Sequence, residues 1–246
     1  MTDKMQKLYI ITPFKNNDSQ NLYKTIKSIS NLKLKIRLIH LIVFDKSSKI
    51  LINQIKKNYK KKFMHEYYFM RFILSLNKGI YNSINVGLDQ LNKSNYYIVL
   101  GEGDTLQKKG EIKSLSKNKI QLINYKLSHE NKIIKKFRNI YGGMPYCHNA
   151  IIFKKNDLRY SEKYKICSDY DYLLNYIKND SVTIKEKNLR VKGLEVIFES
   201  KKGISSKSFI RKNIENIAIV IKYKKIKGLF IYFYLFLKKL INKLNN

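Results

Sequence analysis

Two carboxylates separated by one glycine, in Tyr96-Tyr-Ile-Val-Leu-Gly-Glu-Gly-Asp104, are the residues of this chain best placed for chemistry. An apolar run of strand-forming residues stops abruptly at them, so Glu102 and Asp104 stand at a strand end. Residues two apart in an extended segment point to the same face, which would aim both carboxylates at one spot as hard oxygen ligands for a divalent cation. Gly101 and Gly103 leave room for a bulky anionic ligand to approach the backbone. The carboxyl end of a strand in an open α/β sheet is where nucleotide diphosphates bind. An acidic turn after a buried strand has the same sequence, and the rest of the chain must decide.

Such a site needs a sheet to carry it. Residues 8–12 read as a first strand, 19–29 as a helix with Leu22, Ile26 and Ile29 on its apolar side, and 36–44 as a second strand ending at Asp45. A second helix follows at 49–59, a third strand at 67–74, and a third helix over 80–91 with Ile80, Ile84, Gly87, Leu88 and Leu91 along one side. That helix delivers the chain to the strand before Glu102. Strand-helix repeats of this length mean right-handed βαβ units and an α/β fold with a mixed, mainly parallel sheet. From Ile120 the pattern turns to short strands and loops, with one helix at about 169–177.

The net charge of +32 suggests a polyanionic partner, but only six of the 50 basic residues are arginine. Arginine is the better residue for bidentate recognition of bases and phosphates, so a lysine excess predicts no specific nucleic acid. The cluster Lys56-Lys-Asn-Tyr-Lys-Lys-Lys-Phe63 keeps a nucleic-acid-binding protein as a rival reading. Cys147 and Cys167 have no zinc spacing and read as packing residues. Met1-Thr-Asp-Lys-Met runs directly into a strand without a secretory signal, which predicts a cytoplasmic protein.

Seven motifs in order carry a family resemblance. Ile11-Thr-Pro13, Val43-Phe-Asp45, Asn77-Lys-Gly-Ile-Tyr-Asn-Ser-Ile-Asn85 and Leu100-Gly-Glu-Gly-Asp104 resemble the nucleotide-sugar half of family 2 glycosyltransferases. Gly143-Met-Pro-Tyr-Cys-His148, Ser168-Asp-Tyr-Asp171 and Lys202-Gly-Ile-Ser205 resemble the acceptor half of the branch that builds colanic acid, exopolysaccharide and O-antigen units. The resemblance implies the GT-A fold over residues 1–206, with a nucleotide-sugar half at 1–106 and an acceptor half at 107–206. It also implies an inverting transfer from a nucleoside-diphosphate sugar to a glycan or lipid-linked acceptor.

Roles follow by position. Thr12 and Pro13 would line the nucleoside pocket, Asp45 would accept a hydrogen bond from the base, and Lys78, Gly79, Tyr81 and Asn85 would lie along the donor. Asp104, with Glu102, would bind Mg²⁺ or Mn²⁺ at the diphosphate, and His148 would be a third ligand or a donor contact. Asp169 or Asp171 would be the general base, Asp169 matching the family position. Helix capping explains the same two aspartates without catalysis. The chain departs from the family at Asp45-Lys-Ser-Ser48, at Asn77, and at Gly103-Asp104, where many members have Asp-Asp. A noncatalytic GT-A-like partner is the second rival.

Residues 207–246 form a basic amphipathic tail, with apolar blocks at Ile217-Ala-Ile-Val-Ile221 and Leu229-Phe-Ile-Tyr-Phe-Tyr-Leu-Phe-Leu237 among lysines. Neither block approaches the roughly 20 residues a spanning helix needs. The tail is expected either on an anionic membrane surface, at the inner face of the cell membrane, or packed on its own domain.

Overall fold

The computed structural model describes residues 6–15, 19–45, 49–112, 115–130, 132–181, 189–199 and 208–244. The expected repeats form: β1 (Lys7–Phe14), α1 (Ser19–Ser30), β2 (Arg37–Asp45), α2 (Lys49–Phe63), β3 (Tyr68–Ser75), α3 (Ile80–Leu88) and β4 (Tyr96–Val99). Then come β5 (Thr105–Lys108), β6 (Ile120–Leu127), a 3₁₀ turn (His148–Ala150), β7 (Ile151–Lys154), α4 (Ser168–Asn179), β8 (Arg190–Phe198) and α5 (Phe209–Leu244). All eight strands join one sheet in the order β3-β2-β1-β4-β7-β6-β8-β5.

β1 pairs in parallel with β2 and with β4, and β2 with β3, so the first four strands form a parallel sheet. Parallel strands covered on both faces read as continuous apolar runs, and β2 is buried from Leu38 to Phe44. Its one polar residue there, His40, is satisfied inside the sheet: Nε2 meets Thr12 Oγ1 at 2.8 Å and Nδ1 meets Tyr68 Oη at 2.8 Å, joining three strands. β7 is antiparallel to both β4 and β6, and β5 is antiparallel to β8. β6 and β8 are parallel, with a register shift between Ile123 and Asn124.

The strand order decides where a ligand can bind. Steps from β1 to β2 to β3 move outward, whereas the connection through α3 returns across β1 to β4. Right-handed crossovers therefore place α1 and α2 on one face and α3 on the other, and open a crevice between the carboxyl ends of β1 and β4. α3 packs on β1 closely enough that a Cβ at Gly87 would meet Ile11 Cγ2 at 2.7 Å.

The tail is a hairpin. Lys225 leaves helical geometry (φ 52°, ψ −148°), and Tyr232 Oη donates to Asn213 Oδ1 at 2.7 Å. An unbroken helix would hold these two residues about 28 Å apart. Gly228 lets the limbs meet, since a Cβ there would stand 2.7 Å from Val220 Cγ1. Ile219, Val220 and Tyr232 close a second apolar cluster with Tyr164, Ile166, Cys167, Tyr170 and Leu174.

Charged residues fasten the same joint. α4 has no capping side chain of its own at Cys167. Glu215, on α5, holds the segment that leads into it: its carboxylate accepts the amides of Lys165 at 3.0 Å, Ile166 at 2.9 Å and Cys167 at 2.9 Å. Burial alone would raise the Glu215 pKa, but these amides and Arg211 outweigh it and hold it below the usual value. A depressed carboxylate pKa stabilises the fold above the unfolded value, and the contribution is lost as pH falls through the folded one. Glu215→Ala is expected to cost about 2–4 kcal/mol at neutral pH, less in acid, because three amides lose their acceptor. Urea unfolding at the two pH values checks this, and an unchanged midpoint would remove Glu215 from the joint.

Candidate functional site

The residues expected at the donor site gather at the carboxyl ends of β1, β2 and β4. Asp45 Oδ2 accepts the Gly79 amide at 3.2 Å, tying the end of β2 to the entrance of α3. Its Oδ1 is buried with no hydrogen-bond partner among the described residues, an acceptor awaiting a donor. Lys78 and Gly79 are exposed on the neighbouring loop. Pro13 is buried in register with Val43, and the Thr12 hydroxyl is taken by His40, so both form the floor of this corner.

Glu102 and Asp104 do not share one face of an extended segment. β4 ends at Val99 and residues 101–104 turn, with the Asp104 amide on Gly101 O at 3.2 Å and Gly103 at φ 95°. The second glycine admits a positive φ that other residues resist, which makes the turn possible. Asp104 is 2% exposed and not at a solvent-facing strand end. Its Oδ2 accepts the Gly101 amide at 2.8 Å and the Asn149 side-chain amide, and its Oδ1 accepts the Glu199 amide at 2.8 Å. Burial still pushes its pKa up to about 6, against the pull of these donors and with the Glu199 charge adding to the rise.

His148 and Asn85 are turned to other work. His148 Nε2 meets Tyr160 Oη at 2.7 Å, and the ring packs beside Phe153, so it stands in the aromatic core and not beside Asp104 as a ligand. Burial lowers its pKa to about 4, leaving a neutral imidazole. Asn85 clamps the Tyr160 backbone, donating to its carbonyl and accepting its amide, both at 2.9 Å, which consumes the side chain expected along the donor. Above this floor Tyr160 stacks on Tyr81 and on Tyr172, the latter at 4.1 Å between ring centroids.

Asp169 and Asp171 part company at the start of α4. Asp171 is 4% exposed and accepts Lys222 Nζ at 2.8 Å and Tyr223 Oη at 3.1 Å, so a buried carboxylate meets a half-exposed lysine and anchors α5. Asp169 accepts the Tyr170 amide at 2.8 Å and is only partly covered. Burial raises its pKa to about 6 although that amide and the Lys212 charge pull the other way. A carboxyl that titrates near neutrality is suited to moving a proton. Tyr81 feels the Asp169 charge, and its hydroxyl donates to Ile166 O, so α3 and the α4 entrance meet here.

The structure adds Cys147, Asn149, Glu199 and Lys212 to the site. Burial raises the Cys147 thiol pKa, and the charges of Asp104 and, more weakly, Asp169 raise it further. Asn149 follows the Gly143–His148 motif by one residue, and a polar residue there was the available signal. Glu199 and Lys212 are far along the chain and carried none.

Among the described residues no three His, Cys, Asp or Glu side chains form a closed metal centre. Asp104 Oδ1 has one amide donor, which leaves a lone pair, and Glu199 is near enough for its charge to be felt there. One or two carboxylates suit a cation that completes its shell with water and substrate phosphates. A concavity of about 820 Å³, lined by Leu32, Leu34, His65 and Tyr67, opens at the opposite end of β2 and β3, away from every residue above.

Solved glycosyltransferases share this architecture. TarS 1–349 from S. aureus, in complex with UDP-GlcNAc, superposes with a TM-score of 0.58 at 12% identity, covering 94% of this chain and 72% of that one. The mannosyltransferase PcManGT from Pyrobaculum calidifontis, in complex with GDP-Man and Mn²⁺, gives 0.58 at 10% identity over 95% of this chain and 69% of that one. Against the longer TarS structure the match spans 41% of that protein. No family model matches the sequence, and no curated protein sequence does. The fold is GT-A.

Because the folded-state pKa of Asp169, about 6, lies above the ordinary 3.8, protonation favours the folded chain. Stability is greatest below the unfolded value and falls as pH rises through the folded one. Asp169→Asn cannot ionise, and is expected to exceed the wild type by about 1–2 kcal/mol well above pH 6 and to match it near pH 4. Urea titrations at both pH values read the difference. A gap that does not change with pH would mean that Asp169 is not a strained buried charge.

Proposed function

We propose that this protein is an inverting glycosyltransferase that moves a sugar from a nucleoside diphosphate to a glycan or lipid-linked acceptor in cell-surface polysaccharide synthesis. The observation that carries the reading is the pairing of a crevice at the β1–β4 switch point with a partly covered Asp169 whose carboxyl titrates near neutrality. The GT-A likeness to enzymes solved with UDP-GlcNAc and GDP-Man supports it, as do the motifs of the exopolysaccharide branch. One of those motifs, Lys202-Gly-Ile-Ser205, lies outside the described residues.

In this reading the nucleoside stands over Pro13 and gives a hydrogen bond to Asp45, whose buried Oδ1 would gain the partner it lacks. The diphosphate lies toward the 101–104 turn, where Gly103 is buried against α1 and its amide is held by Thr25 Oγ1. Mg²⁺ or Mn²⁺, held by Asp104 Oδ1 and Glu199, would neutralise charge on the diphosphate. Glu102, in the same turn, stays a donor-side contact. An acceptor hydroxyl attacks the anomeric carbon as Asp169 takes its proton. The bond from that carbon to the phosphate oxygen breaks, the nucleoside diphosphate leaves with the electron pair, and the configuration inverts.

The test screens UDP- and GDP-sugars for binding and for release of nucleoside diphosphate. Asp169→Asn is expected to bind the donor within about twofold of wild type and to lose roughly a hundredfold or more in turnover. Asp171→Asn should act instead through stability, since it breaks the ion pair with Lys222. Full turnover in the Asp169 variant would overturn the assignment of the base, and a chain that binds no nucleotide-sugar would overturn the function.

A further inference from the structure

The face of α5 turned away from the core carries residues that water does not favour. Beyond Lys225, Ile226, Phe230, Phe233, Tyr234, Leu237 and Ile241 are all exposed, from 47% for Phe233 to 72% for Phe230. They recur every three or four residues and so form one stripe of the helix. The limb before Lys225 does the same with Ile210, Ile214 and Ile221. An ordinary surface helix would place polar residues on both stripes, and a contiguous apolar patch of this kind marks an interaction surface.

Charge selects the occupant. α5 contains nine Lys and Arg and one acid, Glu215, which is turned inward to the amides before α4. Exposed Lys224, Lys225, Lys227 and Lys238 border the stripe. A second copy of the chain would set this basic rim against its own. A nucleic acid would take the lysines and leave the apolar stripe in water. An anionic bilayer satisfies both, and no helix among the described residues is long and apolar enough to cross one.

We propose that the outer face of the α5 hairpin is a docking surface for an anionic phospholipid bilayer. The stripe enters the boundary between headgroups and acyl chains, and the lysines rest among the headgroups. The inner face of the same hairpin holds Asp171 through Lys222 and the α4 entrance through Glu215. Bilayer and Asp169 are thereby connected through one packed unit, an arrangement suited to a membrane-borne acceptor. That use rests on the glycosyl-transfer reading; the docking itself does not.

Sedimentation of the full chain with vesicles tests the proposal without reading activity. Vesicles of phosphatidylcholine with phosphatidylglycerol should bind it, and vesicles of phosphatidylcholine alone should bind about tenfold more weakly or worse. Raising salt from low to high should weaken binding without abolishing it, since burial of the stripe is not screened. The double variant Phe230→Asp, Leu237→Asp should lose roughly a hundredfold in partitioning while keeping the wild-type circular dichroism and melting temperature, both positions being exposed. Equal binding by that variant, or no binding by the wild type, overturns the proposal. So does a wild-type dimer that the variant dissociates, which would make the stripe a protein interface, or RNA binding that survives where vesicle binding fails.

Discussion

One buried carboxylate holds the two halves of this fold together. Asp104 gathers the amide of Gly101 at the end of β4, the side chain of Asn149 beside β7 and the amide of Glu199 after β8. Three N–H donors share the work of holding its charge, and burial in a low-dielectric setting still keeps its pKa raised against their pull. Exchange of the carboxylate for an apolar group would leave those donors unpaired and release three segments at once. The wall of the crevice between β1 and β4 is held by this acceptor together with Thr25, whose hydroxyl takes the Gly103 amide at 2.9 Å.

The α4 entrance depends on a similar long-range arrangement. The segment that leads into α4 is held by Glu215, and Asp171 finds its cation on Lys222. Asp169, partly covered at this joint, accepts the Tyr170 amide, and its burial still raises its pKa. Two aspartates two residues apart, with the same sequence signal, thus acquire different chemistry from their neighbours. One is paired with a lysine, and the other keeps a raised pKa.

Much of the architecture was legible because it is written in short periods. The βαβ repeats, the strand ends at Asp45 and before Glu102, and the helix at Asp169 follow from patterns a few residues long. The side-chain partners were not legible, since they lie far away in sequence. Asn85 answers to Tyr160, Asp171 to Lys222 and Asp104 to Glu199, and no local pattern states those pairings. His148 looked like a ligand because the aromatic core that takes its ring is assembled from residues as distant as Phe153 and Tyr160. The apolar and basic character of the tail was readable, whereas its reversal was not, because Lys225 carries none of the usual turn chemistry.

The tyrosines beneath the site have an optical consequence. The chain has 19 tyrosines and no tryptophan, so its near-ultraviolet signal comes chiefly from phenol rings. Among them Tyr160 and Tyr172 stack with their planes nearly parallel, 6° apart, and Tyr172 accepts the Tyr97 hydroxyl at 2.7 Å. Burial raises the pKa of all three well beyond that of a free phenol. Alkali should therefore ionise the surface rings first and leave this stack dark as tyrosinate until the chain opens. The floor of the site thus carries its own chromophore, one whose late ionisation separates local loosening around Tyr160 and Tyr172 from loss of the whole fold.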